Sequence, residues 1–298
     1  MSAAAAPTDN TADAAGGPVV LLAGGGALPE LLVAALERRG KAVKILAFRG
    51  FAARALARRA DLVVDLIDYK RTLAALKAWQ PSEIVLVGTV TRPKPIAFMG
   101  ALSAYRNREE IAAILGSGDD GLLGGVVRVI EEQGLIVGGI DRLAPELLAP
   151  QGQLGAVAPD SDSWSSIARG LAVLDALSPF DVGQAAVICA HWVAAVEGPE
   201  GTDAMLRRVQ KLRWGPRLQA THGGVLVKTA KRDQDLRVDM PTIGPKTVAR
   251  AAAAGLQGIA VGAGTTLIVE IERTIQEADR RGLFLLGVDL PGSPLQSR

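Results

Sequence analysis

Residues 227–245 contain the side chains best suited to phosphate chemistry in this 298-residue chain. Asp235, Arg237 and Asp239 alternate there in steps of two, so an extended strand would place all three side chains on one face. Two carboxylates beside a guanidinium can hold a divalent cation together with a phosphate, or orient a water molecule for attack. A salt-bridged surface strand is the other interpretation of this spacing.

The positive charge of the chain is concentrated around this segment. Residues 207–250 contain eleven Lys and Arg against three Asp, a net charge of +8, whereas the whole chain carries only +2. Lys228 and Lys231 belong to this basic stretch and suit pyrophosphate oxygens as compact positive charges. The asymmetry indicates an anionic partner, which could be a phosphate, a nucleic acid or an acidic membrane surface; a solvated basic face is the alternative.

A glycine turn is the second chemical signal. Gly24, Gly25 and Gly26 follow an apolar run and precede a helical pattern, and glycine lets the backbone approach a phosphate at a helix N-terminus. Pro29 stands where a dinucleotide-binding turn would have its third glycine, and Arg49 stands where such a site would have an acid. Both departures count against a nicotinamide-dependent oxidoreductase. A tight turn without a ligand is the alternative.

A second turn follows the fourth predicted strand, at the edge where open α/β sheets bind ligands. It contains Gly88, Thr89 and Arg92, and the arginine is placed either to contact a phosphate or to lie in an ordinary turn. Asp119 and Asp120 begin a predicted helix, where carboxylates cap backbone N–H groups and favour the helix dipole.

Short apolar runs alternate with helical patterns along the chain, which predicts parallel βαβ units. Hydrophobic residues make up 49% of the chain and aromatic residues only 4%, so Ala, Val and Leu must fill the core. The predicted strands are 18–23, 42–48, 62–66, 83–87, 135–138, 185–190, 193–196, 224–228, 258–261 and 283–288. The predicted helices are 28–39, 51–59, 71–79, 93–117, 121–133, 163–176, 203–212, 248–254 and 271–282.

These elements predict two α/β domains: an N-terminal domain with a Rossmann-like parallel sheet and a second, mixed α/β domain. A cluster of Pro, Gly and Ser between residues 144 and 162 indicates the boundary. The expected division is a disordered tail over 1–17, the first domain over 18–150, a linker and connecting helix over 151–178, and a catalytic domain over 179–298.

Several protein classes are excluded by what the sequence lacks. Cys189 is the only cysteine, and its apolar surroundings are typical of an inert buried thiol. Two histidines cannot build a multi-histidine zinc site. Trp214 is the only stacking aromatic in the basic stretch, which disfavours nucleic-acid binding. With neither a signal peptide nor a run of about 18 apolar residues, we expect a soluble, cytoplasmic protein.

The motifs also occur together in a specific order. They are Leu22-Ala-Gly-Gly-Gly-Ala-Leu-Pro29, residues 88–93, Gly118-Asp-Asp120, Leu148-Ala-Pro150, Asp181-Val-Gly-Gln-Ala185, Val196-Glu197, residues 200–206 and residues 228–245. This combination resembles the UDP-2,3-diacylglucosamine pyrophosphatase family of lipid A biosynthesis, in its non-calcineurin, LpxI-type form. The resemblance covers nearly all of residues 19–288.

The resemblance implies a hydrolase that converts UDP-2,3-diacylglucosamine to 2,3-diacylglucosamine 1-phosphate (lipid X) and UMP. It implies Mg²⁺ or another divalent cation as cofactor, and attack of water on the sugar-proximal β-phosphorus. Two domains would enclose the ligand, and the enzyme would be a peripheral protein on the cytoplasmic side of the inner membrane. We expect no nucleic-acid partner, and a homodimer is one expected assembly.

The resemblance also implies roles for particular residues. Asp239, Asp235 and Lys228 are the expected catalytic residues, and the two aspartates are also the expected metal ligands. The sequence does not decide between these carboxylates, but we favour Asp239 because it lies just before the rigid turn at 241–245. The expected substrate-binding residues are Gly24, Gly25, Gly26, Pro29, Gly88, Thr89, Arg92, Asp120, Gln184, Thr202, Asp203, Lys231, Arg237, Thr242 and Gly244.

Two other functions fit parts of the sequence. A nucleotide-sugar or NAD(P)-dependent enzyme with a Rossmann domain would account for the glycine turn. A non-enzymatic module that docks on anionic lipid would account for the basic stretch.

Overall fold

Four parallel strands form the sheet of the first half of the chain. The computed structural model describes residues 16–90, 119–190, 192–213, 223–232 and 234–289. The strands are β1 (Val19–Ala23), β2 (Val43–Phe48), β3 (Leu62–Val64) and β4 (Glu83–Val87). Their order is β3-β2-β1-β4, and every pair is parallel. This order confirms the Rossmann-like N-terminal sheet.

Helices cover both faces of this first sheet. They are α1 (Leu28–Arg38), α2 (Arg54–Arg59), α3 (Tyr69–Trp79), α4 (Asp119–Glu131) and α5 (Ile140–Leu143). Leu21 of β1 packs in one core with Leu36, and Val20 packs in a second core with Leu76. Because both faces are covered, all five residues of β1 are buried, and the strand is a continuous apolar run in the sequence.

A six-stranded mixed sheet forms the second half of the chain. Its order is β5-β12-β10-β8-β6-β7. The strands are β5 (Gly152–Gln153), β6 (Ala185–Cys189), β7 (Trp192–Val196), β8 (Val225–Lys228), β10 (Gly258–Gly262) and β12 (Phe284–Val288), while β9 (Thr242–Ile243) and β11 (Leu267–Ile268) form a separate parallel pair. Strands β8, β10 and β12 are parallel, and β6 runs antiparallel to β8. The second α/β unit is therefore mixed, as expected.

The helices of this half lie on both faces of its sheet. They are α6 (Ser161–Leu177), α7 (Thr202–Leu212), α8 (Pro245–Ala253) and α9 (Ile271–Arg280). Strand β8 shows the division, because Val225 and Val227 belong to the core that includes α6, whereas Leu226 belongs to the core shared with α7 and α8. This alternation follows from the two-residue period of a strand.

Some predicted elements differ from the observed ones. Residues 151–178 are expected to form a linker and a connecting helix. They instead form β5, which pairs with β12 in the second sheet, and α6, which packs on a face of that sheet. Residues 135–138 form no strand, and only Val137 makes a bridge, to Ile84. The expected helix over 93–117 and nearly all of the expected N-terminal tail lie outside the described residues. Among the described helices, none is long and apolar enough to cross a membrane.

Three side chains of the second half pack into the cores of the first half. Leu267 is 1% exposed and lies in the core that contains Leu21 and Leu36. Met240 packs against this same core, and Val238 packs against the core on the other face of the first sheet. The two halves therefore share hydrophobic cores close to the 235–239 segment.

Candidate functional site

A cleft of about 230 Å³ lies between the two halves of the chain. The first half contributes residues 25–28 from the glycine turn and residues 86–89 from the end of β4. The second half contributes residues 236–240 together with Thr242, Leu267 and Val269. The structure therefore brings both glycine turns and Asp239 to one cavity, although they are far apart in the sequence.

The two glycine turns are packed against each other by their backbones. The Gly25 N–H donates to the Thr89 carbonyl at 2.8 Å, and the Thr89 N–H donates to the Gly25 carbonyl at 2.9 Å. Gly88 has a φ of +92°, and a Cβ there would lie 2.5 Å from the Gly25 carbonyl oxygen. Glycine is thus required for close backbone packing, and Gly25 and Gly26 also line the cleft.

The segment 235–239 is a turn, so the expectation of an extended strand is wrong. The Val238 and Asp239 N–H groups both donate to the Asp235 carbonyl, at 3.2 Å each. This bonding replaces the two-residue alternation of a strand with one helical turn. The side chains of Asp235 and Asp239 consequently have separate partners.

Asp235 is held by an arginine two residues later. The Arg237 guanidinium donates to both carboxylate oxygens, at 2.9 and 2.7 Å, and the Arg237 backbone N–H donates to one of them at 3.1 Å. These hydrogen bonds lower the pKa of Asp235 and raise the pKa of Arg237. Arg237 also pairs with Glu131 of α4 at 2.8 Å, so this ion pair joins the two halves beside the cleft.

Asp239 has amide partners instead. The Gln184 side chain donates to its Oδ2 at 2.7 Å, and the Gln234 side chain donates to the same oxygen. Two amides from different segments therefore orient this carboxylate. Asp239 lines the cleft, whereas Asp235 is absent from its lining.

A buried ion pair lies behind Gln184. The Lys228 ammonium is 3.4 Å from a Glu197 carboxylate oxygen and donates to the Thr202 hydroxyl at 3.0 Å. The Thr202 hydroxyl donates to the other Glu197 oxygen at 2.5 Å, and the Gln184 backbone N–H donates to Glu197 at 3.1 Å. A chain of contacts thus runs from Lys228 through Glu197 and Gln184 to Asp239.

Sequence reasoning missed two members of this network. The sequence motifs predict no role for Gln234, and they contain Glu197 only as part of Val196-Glu197. Gln234 is only five residues from its partner Asp239 in the sequence, whereas Glu197 is 31 residues from its partner Lys228. The position of Gln234 within the densest polar segment of the sequence is the one signal that could have indicated its role.

Several other expected substrate-binding residues have protein partners. Lys231 forms an ion pair with Asp181, and Asp203 forms one with Lys246 at 2.5 Å. The Thr242 hydroxyl donates to the Met240 carbonyl at 3.1 Å.

Four other expected substrate-binding residues have no such contact described. Gly244 is the N-cap of α8, and Pro29 is in the first turn of α1. Arg92 lies outside the described residues, as does the side chain of Asp120. Arg49, at the end of β2, pairs with Asp65 at 3.2 Å.

The described carboxylates offer few ligands for a metal ion. Within the described ranges, no group of three or more His, Cys, Asp or Glu side chains is placed to hold a metal ion. Asp235 is engaged by Arg237, so it does not fit the paired arrangement expected from the sequence. Asp239 fits a magnesium ion that takes one carboxylate and completes its shell with water and phosphate oxygens.

Cys189 takes no part in the cleft. It is fully buried, and burial raises the pKa of its thiol. This confirms the expectation of a buried thiol.

Comparison with known proteins gives two family models that match adjacent parts of the chain. The model described as the LpxI N-terminal domain matches residues 18–147, and the LpxI C-terminal domain matches residues 150–286. The chain is also 39% identical over 266 residues to the UDP-2,3-diacylglucosamine pyrophosphatase LpxI of Caulobacter vibrioides. That alignment covers 89% of this chain and 95% of the relative.

Solved structures are less similar. A UDP-glucose 4-epimerase from Thermus thermophilus, in complex with NAD, is 14% identical with a TM-score of 0.28, and the match covers 93% of this chain and 87% of the epimerase. The epimerase from Stenotrophomonas maltophila is 12% identical with a TM-score of 0.25, over 66% and 62% of the two chains. Scores this low carry no argument about fold or function.

Proposed function

Because the chain belongs to the LpxI family, we propose that it hydrolyses UDP-2,3-diacylglucosamine to 2,3-diacylglucosamine 1-phosphate and UMP in lipid A biosynthesis. The observation that carries the proposal is the cleft in which Asp239 and the glycine turns meet. One wall of this cleft offers backbone groups at a helix N-terminus, which suit phosphate oxygens. The other wall offers an oriented carboxylate, which suits the activation of water.

Asp239 is the residue proposed to orient the attacking water and accept its proton. The water oxygen would form a bond to the β-phosphorus, and the bond from this phosphorus to the bridging oxygen would break. UMP would then leave with the bridging oxygen, and the new phosphate oxygen would remain on the sugar. Gln184 and Gln234 support this role because they fix the carboxylate by hydrogen bonds to Oδ2.

Asp239 would also hold Mg²⁺ when the substrate is bound. The ion would supply positive charge to the non-bridging pyrophosphate oxygens, which lowers the cost of the charge that develops on the leaving group. Asp235 is proposed as a positioning residue, because its carboxylate holds Arg237 in the inter-half ion pair with Glu131.

Lys228 is proposed to act through other residues. Its side chain is 7% exposed and contacts Glu197 and Thr202. An ammonium held in this way fixes the position of the Glu197 carboxylate. That carboxylate in turn accepts a hydrogen bond from the Gln184 backbone N–H. Lys228 therefore supports the amide that orients Asp239, which differs from the direct catalytic role expected from the sequence.

The partners follow from the substrate. A diacylated nucleotide sugar resides in a membrane, so we propose that the protein works at the inner membrane surface as a peripheral, cytoplasmic protein. A homodimer is proposed as its assembly. The net charge of +8 over residues 207–250 supports attraction to an anionic lipid surface.

The test is incubation of the purified full chain with UDP-2,3-diacylglucosamine and Mg²⁺ in water enriched in heavy oxygen. We expect UMP and lipid X in equal amounts, with the heavy oxygen in the phosphate of lipid X. Heavy oxygen in UMP would contradict attack on the β-phosphorus, and absence of both products would overturn the proposed function. A matched incubation with EDTA tests the metal.

A further inference from the structure

Three large apolar side chains are exposed at one end of the second half. Trp192 and Val193 begin β7 and are 57% and 42% exposed, and Leu212 ends α7 and is 44% exposed. A short connection joins β7 to α7 and the two elements pack against each other, so they run in opposite directions. The first residues of β7 therefore lie beside the last turn of α7. We call these three side chains, together with Arg207 and Lys211 of α7, the β7–α7 tip.

Strand register and one side-chain contact place Trp192 beside the end of α7. Trp192 pairs with Cys189 of β6, and paired residues of antiparallel strands point to the same face of a sheet. Cys189 belongs to the core that α7 covers, and the Arg213 guanidinium donates to its sulfur at 3.6 Å. Arg213 directly follows Leu212 in the chain. The exposed indole and the exposed end of α7 therefore lie on the same face of the second sheet.

The charges at the β7–α7 tip are positive. Arg207 and Lys211 are exposed, and neither forms an ion pair with an acidic side chain of the described residues. Strand β7 and residues 204–213 contain no Asp or Glu. Other cations of the basic stretch have carboxylate partners: Arg208, Lys228, Lys231, Arg232, Arg237 and Lys246. The tip thus combines exposed apolar surface with positive charge that no described carboxylate neutralises.

The surface of an anionic lipid bilayer fits this combination. Tryptophan is enriched at membrane–water interfaces, because its ring is apolar and its indole N–H is polar. Exposed apolar side chains enter the headgroup region, and basic residues beside them are attracted to anionic lipids. A second copy of the chain fits less well as a strand partner, because β7 contains a register shift and Arg208 already donates to the Val196 carbonyl.

We propose that the β7–α7 tip docks the protein on an anionic lipid bilayer, an inference that rests on the proposed function because the proposed substrate resides in a membrane. Leu212 and Thr202 are the two ends of α7, and ten residue steps of a helix span about 15 Å. A helix α7 that points its C-terminal end at the bilayer therefore keeps Thr202, and the buried ion pair beside it, about 15 Å above the tip.

The first test measures binding of the purified full chain, without substrate, to vesicles of phosphatidylcholine alone or mixed with phosphatidylglycerol. Each basic residue near an anionic surface raises the affinity about fivefold, so Arg207→Gln combined with Lys211→Gln should weaken binding to the anionic vesicles about 25-fold. Arg54→Gln combined with Arg58→Gln removes the same charge from the exposed side of α2, and this matched control should bind normally. Equal losses in the two double variants, or equal binding to both kinds of vesicle, would overturn the inference.

Tryptophan fluorescence tests the contact directly. Phosphatidylglycerol with brominated acyl chains quenches an indole that enters the bilayer. The quenching should fall in Trp192→Phe and stay unchanged in Trp164→Phe, because Trp164 is exposed on α6, which covers the other face of the second sheet. Unchanged quenching in Trp192→Phe would overturn the inference. Sedimentation without lipid is the companion measurement, and a dimer that dissociates in Trp192→Phe would assign the tip to self-association instead.

Hydrolysis separates this inference from the proposed function. With UDP-2,3-diacylglucosamine dispersed in detergent, the variant with Arg207→Gln and Lys211→Gln should match the unchanged protein. With the same substrate in anionic vesicles, its kcat/KM should fall about tenfold. An equal kcat/KM of the two proteins on vesicles would overturn docking through the tip. Vesicle binding by an unchanged protein that hydrolyses neither form of the substrate would overturn the proposed function alone.

Discussion

The glycine turns and the 235–239 turn face the same cleft but are built from different groups. The first wall contains the two glycine turns, in which Gly25 and Thr89 exchange backbone hydrogen bonds. The second wall contains Asp239, which two amides hold; its neighbour Asp235 lies outside the lining and is held by a guanidinium. The first wall therefore depends on glycine at its turns, and the second depends on the identity of its side chains.

This contrast predicts different kinds of damage. A substitution in the second wall should change the chemistry while the fold persists, unless it uncovers a buried charge. A substitution in the first wall should change packing and substrate affinity. The predictions that follow begin with the largest expected effect.

Asp239→Asn should lower kcat by roughly 10² to 10⁴-fold, because an amide cannot accept the proton of the attacking water. UMP release under saturating substrate measures the change. Asp235→Asn is the matched control, and we expect a loss of at most about tenfold, because Asp235 lies outside the cleft lining and the change weakens only its half-buried ion pair with Arg237. A larger loss of kcat in Asp235→Asn than in Asp239→Asn would assign the catalytic role to Asp235 instead of Asp239.

Lys228→Met should lower the free energy of unfolding by about 3–5 kcal/mol, because it leaves the buried Glu197 carboxylate without its cation. Urea denaturation measures the change. Lys246→Met removes a lysine that is 73% exposed and paired with Asp203, and it should cost less than about 1 kcal/mol. Equal costs for the two variants would show that the Lys228 pair contributes no more than a surface pair.

Gly88→Ala should destabilise the protein by roughly 1–3 kcal/mol, because its positive φ and the contact with the Gly25 carbonyl both oppose a Cβ. Gly40→Ala is the control: its φ is +69°, but a Cβ there meets nothing within 4 Å. Denaturant midpoints should separate the two variants, and KM should rise only for Gly88→Ala. A smaller cost at Gly88 than at Gly40 would contradict the close packing of the two turns.

The Asp235 ion pair should give a small, pH-dependent effect. Because the pKa of folded Asp235 is lowered, its stabilisation is fully present above its unfolded pKa of about 3.9 and is lost as the pH falls through the folded value. The stability difference between the unchanged protein and Asp235→Asn should thus be constant from about pH 5 upwards and shrink below about pH 4. Urea midpoints across this range measure it. In an Arg237→Met background the shrinkage should diminish, because only the hydrogen bond from the backbone N–H of residue 237 remains to lower the pKa of Asp235. Shrinkage of unchanged size in that background would assign it to another group.

Most of the regular structure could be predicted from the sequence because long apolar runs determine it locally. Strand β1 and helix α1 differ from their predictions by one residue at an end. The pattern Asp-Leu-Arg-Val-Asp at 235–239 was misleading, because its alternation of polar and apolar residues suits a strand as well as it suits the observed turn. The deciding contacts are distant: Val238 packs in a core of the first half, and Arg237 pairs with a glutamate 106 residues away.

For the proposed site, the sequence indicates candidate residue types but not their arrangement. The polar segment contains both Asp235 and Asp239, but what distinguishes their surroundings includes Gln184, which hydrogen-bonds Asp239 and is 55 residues away in the sequence. The two-residue strands β9 and β11 were missed because so short a pair has no periodicity. Long-range pairing of this kind is not encoded in any local window.

The insertion of Leu267 into the first core has a consequence for synthesis on the ribosome. Leu147 is the last fully buried residue that the first half contributes to this core, and Leu267 is synthesised about 120 residues later. At a synthesis rate of roughly 5–20 residues per second, the nascent first half therefore exposes the apolar site of Leu267 to solvent for about 6–24 s. Translation speed, and chaperones that bind exposed apolar surface, should therefore influence how much of this protein reaches its native state.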